Sequence, residues 1–374
     1  MKNTLILFSL LSIFISCGKG TSFYPNIVSQ QNIQIDSIEF EEVELNLNDY
    51  ECSYYGYSYI RDSNLYFVDK YLCWLFIFNS KGQVIQRELG QGRGPNEVVT
   101  TNISSIASCQ NGDLMVLGYT LDHYFFNKDF KRINTYMLQE NNKTEIHENS
   151  DTYTTFYPNL VIKNFGDKLY YNLYSEAENF NFVYTPEKYY QKAYTLMQTN
   201  RDSGRVKKLL CPYPPFYQEH IGELDAMISL NYDFDSEGNL YVGFEADSTI
   251  YKYKQDEYPI KAFGYKGKNM NQNYQAIRSW EECSKMVSED RTNKGYYTSL
   301  YVSPTDNYIF RTYQKGSHDS TDGLQIYQNE VLIGDVPAPK GIKIIGYIAP
   351  YYYSEIMTDI DIDNDKMYIY RFKL

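Results

Sequence analysis

Asp62-Ser63-Asn64-Leu65-Tyr66 is a polar turn followed by an apolar residue and an aromatic one. Such a turn, leading into alternating apolar residues, is typical of two antiparallel strands joined as a hairpin. The pattern occurs six times, and the other copies are Asn111-Gly112-Asp113-Leu114-Met115, Gly166-Asp167-Lys168-Leu169-Tyr170, Glu237-Gly238-Asn239-Leu240-Tyr241, Thr305-Asp306-Asn307-Tyr308-Ile309 and Asn364-Asp365-Lys366-Met367-Tyr368. Self-similarity at a long period indicates a repeat architecture.

The spacing of the copies fits one particular repeat. From Leu65 to Met367, successive copies lie 49 to 71 residues apart, and a four-stranded propeller blade takes about 40–50 residues. A second apolar hairpin follows each of the first five copies, as at residues 76–85. The sequence therefore predicts an all-β fold, a six-bladed β-propeller with insertions in its later blades.

The sixth copy ends at Leu374 after one hairpin, which would leave a strand edge unpaired. Residues 32–47 alternate like strands but have no blade of their own, so we expect this N-terminal segment to complete the sixth blade and close the ring. Two short helical insertions are expected, at residues 185–190, where Pro186 takes the first helical position, and at residues 273–289.

The N-terminus has the pattern of an export signal. Lys2 precedes an apolar run at residues 5–15 that is too short to span a bilayer. Ser16-Cys17-Gly18 resembles the lipobox of bacterial lipoproteins, which makes Cys17 the expected lipidated N-terminus; an ordinary signal peptide with a nearby cysteine is the alternative. The predicted organisation is a signal peptide (1–16), a lipidated tether (17–30) and the propeller (31–374).

The composition excludes some functions. With 47 acidic and 35 basic residues the net charge is −12, which would repel a nucleic acid backbone. The mature chain has no CxxC pair, and the disulfide status of its cysteines stays open, although inert buried thiols are the favoured interpretation. These cysteines are Cys52, Cys73, Cys109, Cys211 and Cys283. The 41 tyrosines favour strand packing, with platforms for stacking on sugars as the alternative.

Residues 90–97, Gly-Gln-Gly-Arg-Gly-Pro-Asn-Glu, resemble the Gly-Arg-Gly-Pro-x-Glu signature of six-bladed propeller lipoproteins of Bacteroidetes, often called TolB-like. The resemblance implies a propeller at the cell envelope with no established catalytic residues. Some lipoproteins of this group carry acidic residues just after the lipidated cysteine that send them to the cell surface. None follows Cys17, so the periplasmic face of the outer membrane is favoured over the surface. Arg93 and Glu97 are expected to form an ion pair that locks the link between two blades.

The chemistry-bearing residues are few. His123, His147, His220 and His318 are scattered, and neither an HExxH nor a GxSxG motif occurs. No cofactor is predicted. Alternating acids in one run superficially resemble a Ca²⁺ loop, although ordinary turn acids are the favoured interpretation. This weak metal candidate consists of Asp359, Asp361, Asp363 and Asp365.

A candidate binding surface is formed by residues in the links between blades, which we expect to meet on one face of the disc. These residues are Arg93, Glu97, Tyr213, Phe216, Tyr217, Tyr351, Tyr352 and Tyr353. The favoured function is a non-enzymatic binding or scaffold module for a peptide, glycan or partner protein at the envelope. The alternative is a glycan lyase or hydrolase with paired carboxylates in the propeller funnel.

Overall fold

The computed structural model describes residues 23–138, 153–155, 160–254, 256–360 and 365–374. The predicted signal peptide and Cys17 lie outside these residues. The described chain begins with two short strands, β1 (Gln30–Ile35) and β2 (Glu41–Glu44). Six antiparallel sheets then follow in succession and surround a central channel, which confirms the predicted six-bladed β-propeller.

The first two blades are regular four-stranded meanders in which the first strand is innermost and the last outermost. Blade one consists of β3 (Gly56–Arg61), β4 (Asn64–Asp69), β5 (Trp74–Phe78) and β6 (Val84–Leu89). Blade two consists of β7 (Ile103–Ser108), β8 (Leu114–Gly118), β9 (Asp122–Phe126) and β10 (Arg132–Met137).

Blade three carries an insertion. Its first strand position is shared by β11 (Thr154–Thr155) and β12 (Ile162–Phe165), which both pair with the second strand, β13 (Lys168–Tyr174). The insertion consists of β14 (Glu176–Ala177), β15 (Phe180–Asn181) and helix α1 (Pro186–Lys192). The two outer strands are β16 (Tyr194–Asn200) and β17 (Val206–Pro212). Helix α1 has Pro186 in its first turn, as predicted.

Helices form part of the links on both sides of blade four. The chain passes through α2 (Pro215–Glu219) into β18 (Leu230–Phe234), β19 (Leu240–Phe244), β20 (Ile250–Tyr253) and β21 (Lys261–Phe263). It then forms α3 (Trp280–Asn293) and blade five, with β22 (Tyr296–Val302), β23 (Tyr308–Gln314), β24 (Asp322–Gln328) and β25 (Val331–Ala338). Helix α3 begins later than its predicted start because Ser279 caps it, accepting a hydrogen bond from the Glu282 N–H.

Blade six differs from the prediction in one respect. Its strands from the C-terminal part of the chain are β26 (Ile344–Ile348), β27 (Tyr351–Ser354), β28 (Met357–Asp359) and β29 (Lys366–Phe372). Because β27 and β28 both pair with β29, they share the second strand position and β29 takes the third. The last polar turn therefore leads into a third strand, and the N-terminus has to supply only the fourth.

A repeated side-chain interaction stabilises several of the turns between successive strands of a blade. The Asn79 side-chain oxygen accepts hydrogen bonds from the backbone N–H groups of Lys81 and Gln83, at 2.9 and 3.1 Å. The same kind of bond to a backbone N–H group a few residues later is made by Asn127, Asn200 and Asp235. Gly82 lies in the left-handed region, φ 79°, which glycine adopts without steric strain.

The N-terminal segment, residues 23–48, runs around the outside of the ring, and we call it the N-terminal belt. Strand β2 pairs antiparallel with β29 as the outer strand of blade six, as predicted. Strand β1 instead pairs parallel with β25, so it extends blade five. Further contacts join Tyr24 to the Pro212 carbonyl of blade three, Val28 to the Ala262 carbonyl of blade four, and Asn46 to the Gly82 carbonyl of blade one. The belt thus contacts five of the six blades.

Apolar packing secures the end of the belt between the last blade and the first. Leu45 and Leu47 are buried in a cluster with Phe67 of blade one and with Met367 and Ile369 of blade six. This cluster joins side chains from the two ends of the chain, and it therefore contributes directly to ring closure. Among the described residues, no helix is long and apolar enough to cross a membrane.

We expect Leu45→Ala to lower the free energy of unfolding by about 2–5 kcal/mol, because it leaves a cavity at the closure of the ring. The adjacent, exposed Glu44→Ala is the control and should change it by less than about 0.5 kcal/mol. Chemical denaturation of the two variants measures the difference. Equal stability of both would contradict a role for the belt in closure.

Candidate functional site

The central channel is a cavity of about 530 Å³. Its wall is formed by residues of the innermost strand of every blade, namely β3, β7, β12, β18, β22 and β26. Each of these strands is the inner edge of its sheet, so backbone N–H and C=O groups along it have no further strand to pair with. The channel wall therefore offers backbone hydrogen-bonding groups to side chains of the neighbouring blade or to a bound molecule.

Side chains use some of these groups to join neighbouring blades around the channel. The Ser105 hydroxyl of blade two donates to the Leu160 carbonyl of blade three at 2.9 Å. The Asp233 carboxylate of blade four accepts from the Val302 N–H of blade five at 3.0 Å. Similar bonds join Tyr57 to the Ser104 carbonyl, Tyr232 to the Val161 carbonyl and the Ile356 N–H to the Ser58 hydroxyl. The inner wall is consequently held as one structure.

Two lysine–carboxylate pairs lie in the channel wall. Lys163 Nζ is 3.2 Å from an Asp233 oxygen, and Lys343 Nζ is 3.5 Å from a Glu355 oxygen. The Glu355 carboxylate raises the pKa of Lys343 above its usual value, because a nearby negative charge favours the ammonium form. Among the described residues that line the channel, Asp233 and Glu355 are the only carboxylates, and each is paired with a cation.

The two ends of the channel open on different faces of the disc. One face carries the links between blades and the loops from each second to each third strand, and we call it the link face. Because successive strands of a blade run antiparallel, the turn between the first and second strands lies on the opposite face. Described helices α1, α2 and α3 all belong to the link face, because each lies in a loop of that kind.

Arg93 and Glu97 lie in the link between blades one and two, but the expected ion pair between them is not formed. The Glu97 carboxylate instead accepts a hydrogen bond from the Gly94 N–H at 2.6 Å, while Arg93 is exposed. Gly92, at φ 158°, comes so close that a Cβ atom there would lie 2.1 Å from a Glu97 oxygen. The carboxylate therefore closes the glycine turn on itself.

Tyr213 precedes helix α2 and Tyr217 lies within it, on the link face, and both side chains are completely buried. Their hydroxyls donate to the Ile228 carbonyl at 2.8 Å and the Met227 carbonyl at 2.5 Å. Both rings pack against Tyr190 of helix α1, and Phe216 is half-buried. The insertion in blade three thus covers these tyrosines, so they cannot serve as exposed platforms for a ligand.

Tyr351, Tyr352 and Tyr353 follow the turn between the first two strands of blade six, which places them toward the face opposite the link face. Tyr352 and Tyr353 are buried, and the Tyr352 hydroxyl donates to the Asp306 carboxylate of blade five. Tyr351 is half-buried beneath the Arg371 guanidinium, 4.4 Å from the ring centroid. The expectation that these aromatics gather with Tyr213 at one mouth is wrong, because Pro350 lies in a turn within blade six and not in a link between blades.

Exposed aromatic side chains do gather on the link face, but at positions that are not among the predicted binding residues. Tyr55, Tyr71 and Tyr119 are 53%, 46% and 63% exposed. Tyr55 immediately precedes the channel-lining strand β3, while Tyr71 and Tyr119 follow the second strands of blades one and two. We call these three residues the tyrosine rim. The sequence signal that could have found them is position, because each lies close to the end of a strand that belongs to a repeated hairpin.

Consecutive backbone hydrogen bonds hold the tyrosine rim in place. The Lys70 N–H donates to the Tyr55 carbonyl at 2.7 Å, and the Ile103 N–H donates to the Lys70 carbonyl at 2.8 Å. The Tyr119 N–H in turn donates to the Asn102 carbonyl at 3.1 Å. The rings of Tyr55 and Tyr71 meet edge to face with centroids 6.0 Å apart. The three aromatic side chains therefore project from a connected, hydrogen-bonded backbone.

The remaining candidate groups are inert or only partly described. Asp361 and Asp363 of the acidic run lie outside the described residues, and the described part of the chain contains no cluster of three potential metal ligands. Burial lowers the pKa of His123 to about 4, and this ring contacts the Tyr171 hydroxyl and the Leu121 carbonyl. The five cysteines of the described chain are unpaired, and burial raises the pKa of Cys109 to about 12, which disfavours the reactive thiolate.

The fold and channel define the chain as a six-bladed β-propeller with Bacteroides proteins among its structural neighbours. One is a member of the DUF4221 family from Bacteroides vulgatus, which matches with a TM-score of 0.63 and 14% identity over 92% of this chain and 99% of its own. Another is a predicted exported protein from Bacteroides fragilis, with a TM-score of 0.53 and 14% identity over 93% and 100%. No protein-family model and no curated protein matches the sequence. Identity at this level shows the shared fold alone.

We expect Tyr217→Ala to lower the free energy of unfolding by about 3–5 kcal/mol, because truncation of a buried aromatic leaves a large cavity. Tyr119→Ala removes the same atoms from an exposed position and should change stability by less than about 0.5 kcal/mol. Thermal or chemical unfolding separates the two cases. If Tyr217→Ala were as stable as Tyr119→Ala, this would contradict the conclusion that the insertion buries Tyr217.

Proposed function

We propose that this protein is a non-enzymatic binding propeller of the cell envelope and that its link face binds a polar polymer, a glycan in particular. The observation that carries the proposal is the tyrosine rim, three exposed tyrosines that a connected, hydrogen-bonded backbone holds on the link face. A rigid scaffold that presents exposed side chains on loops is the usual arrangement of a binding surface. Peptides and partner proteins are the alternative classes of ligand that such a surface can bind.

Tyrosine suits this role because its ring is apolar while its hydroxyl forms hydrogen bonds. A pyranose ring has an apolar C–H face that can cover such a ring and hydroxyls that can pair with polar neighbours. Tyr55, Tyr71 and Tyr119 provide three such rings, and Lys70 lies 5.4 Å from the Tyr71 ring centroid. The conformational entropy that a tyrosine side chain loses on binding is small, because it has only two χ angles, and this favours affinity.

The channel chemistry supports binding over carboxylate catalysis. A glycosidase of the usual kind needs one carboxyl group that holds a proton and a second one that is ionised. In the channel, Asp233 and Glu355 are each engaged in an ion pair with a lysine, at 3.2 and 3.5 Å. Asp233 is further held by the Val302 N–H. These carboxylates are thus arranged to stabilise the wall between blades.

The proposed location at the envelope rests on the sequence and on one structural neighbour. Lys2, the apolar run and Cys17 together form the export and lipidation pattern, and the Bacteroides fragilis neighbour is a predicted exported protein. Acyl chains on Cys17 would hold the propeller at a membrane surface without a spanning helix, since each buried methylene contributes about 0.8 kcal/mol. We favour the periplasmic face of the outer membrane.

The test is titration calorimetry of the folded propeller with a panel of neutral α- and β-linked hexasaccharides. Tyr55→Ala, Tyr71→Ala and Tyr119→Ala should each weaken binding by about 1–3 kcal/mol, with base–aromatic stacking as the nearest measured analogue. Tyr347→Ala is the control, because Tyr347 is an exposed tyrosine that lines the channel and lies toward the opposite face.

Equal weakening by the control would place the ligand away from the link face and contradict the proposed site. If no hexasaccharide binds and a peptide library does, the glycan assignment is wrong. Cleavage of any bound oligosaccharide by the wild-type protein, detected chromatographically, would contradict the non-enzymatic proposal.

A further inference from the structure

The first residues of the N-terminal belt form an apolar patch on the rim of the disc beside blade four. Phe23, Ile27 and Val28 are 66%, 59% and 58% exposed, and Ile260 of blade four is 49% exposed. We call these four residues the rim patch. Exposed apolar side chains that lie together on a folded surface commonly mark a contact with another protein or with a membrane.

Direct contacts attach the belt residues of the patch to blade four. The Phe23 ring stacks on Tyr258, with centroids 4.5 Å apart. Ile27 forms a parallel bridge with Ala262, and the Val28 N–H donates to the Ala262 carbonyl at 2.9 Å. Ile260 lies two residues before Ala262. The patch therefore occupies the outer edge of blade four, where the belt adds backbone to the sheet.

The length of the tether identifies what this patch faces. Only residues 18–22 separate Cys17 from Phe23. The chain reaches at most about 3.3–3.6 Å per residue, so Phe23 lies no more than about 22 Å from the Cys17 backbone. Acyl chains on Cys17 would be buried in a bilayer, and the belt fixes Phe23 at blade four. A membrane anchor at Cys17 thus brings this edge of the disc to the bilayer surface.

We infer that the rim patch lies against the lipid bilayer and sets the orientation of the propeller, an inference that rests on the proposed lipid anchor at Cys17. Apolar side chains on an interfacial surface enter about 5–10 Å into the boundary between headgroups and acyl chains. With a net charge of −12 the protein has no overall attraction to anionic lipids, so apolar contact is the favourable term.

This orientation has a consequence for ligand binding. The patch lies on the outer edge of a blade, whereas the two mouths of the channel lie on the faces of the disc. A propeller that rests on the edge of blade four therefore stands upright on the membrane. Neither of its two faces is covered by the bilayer, and both stay open to solvent. The tyrosine rim on blades one and two lies on the side of the ring away from the patch, where a long polymer can reach it.

The experiment uses the acylated protein in phosphatidylcholine vesicles that contain nitroxide-labelled lipid. A bimane fluorophore is attached at Ile27→Cys or Ile260→Cys. Ile85→Cys is the matched control, because Ile85 is 55% exposed on the outer strand of blade one, and blade one lies opposite blade four in the ring of six blades. We expect quenching at positions 27 and 260 to exceed quenching at position 85 by about threefold or more, as the first two enter the interface.

Incorporation of labelled fatty acid, with Cys17→Ala as the negative control, is measured on the same preparations. If the acyl label is present and quenching is equal at all three positions, the orientation is wrong while the anchor stands. If the wild-type chain takes up no acyl label, the proposed anchor fails and the orientation fails with it. Melting temperatures of the three cysteine variants confirm that each remains folded.

Discussion

The pairing of β2 with β29 is the interaction on which the rest of the structure depends. In a ring of sheets no covalent link joins the last blade to the first, so non-covalent contacts have to hold these two blades together. If the last blade were incomplete, the edge of β29 would be exposed. The N-terminus supplies the missing strand through ladder bonds from Glu41 to Glu44. Leu45 and Leu47 then carry the same segment into the cluster shared with blade one. Closure is therefore both hydrogen-bonded and apolar.

The channel and the tyrosine rim both depend on closure of the ring. The channel exists because six inner strands face one axis, and the tyrosine rim is placed by the ends of strands in blades one and two. Bonds such as that from Ser105 to the Leu160 carbonyl transmit the position of one blade to the next. The belt also determines where the chain leaves the disc toward Cys17. One segment thereby connects fold, binding face and proposed membrane orientation.

The parts of this account that the sequence predicted are local in origin. Apolar alternation and Asx turns such as that of Asn79 fix hairpins within a few residues, and their number gave the six blades. The strand position of the last hairpin in blade six, and the place of β1 on blade five, depend on distant partners that turn chemistry does not encode. The same holds for aromatics: Tyr217 is buried because an insertion covers it, whereas Tyr119 is exposed because nothing does.

The most direct measurement of the central claim is hydrogen–deuterium exchange of a chain that begins at Asp49, compared with one that begins at Phe23. The account predicts faster exchange in β25 and β29, which lose their belt partners, and also in the inner strands of blades six and one, because the ring is no longer closed. Unchanged protection of β29 and β3 in the shortened chain would show that the six blades hold together without the N-terminal belt.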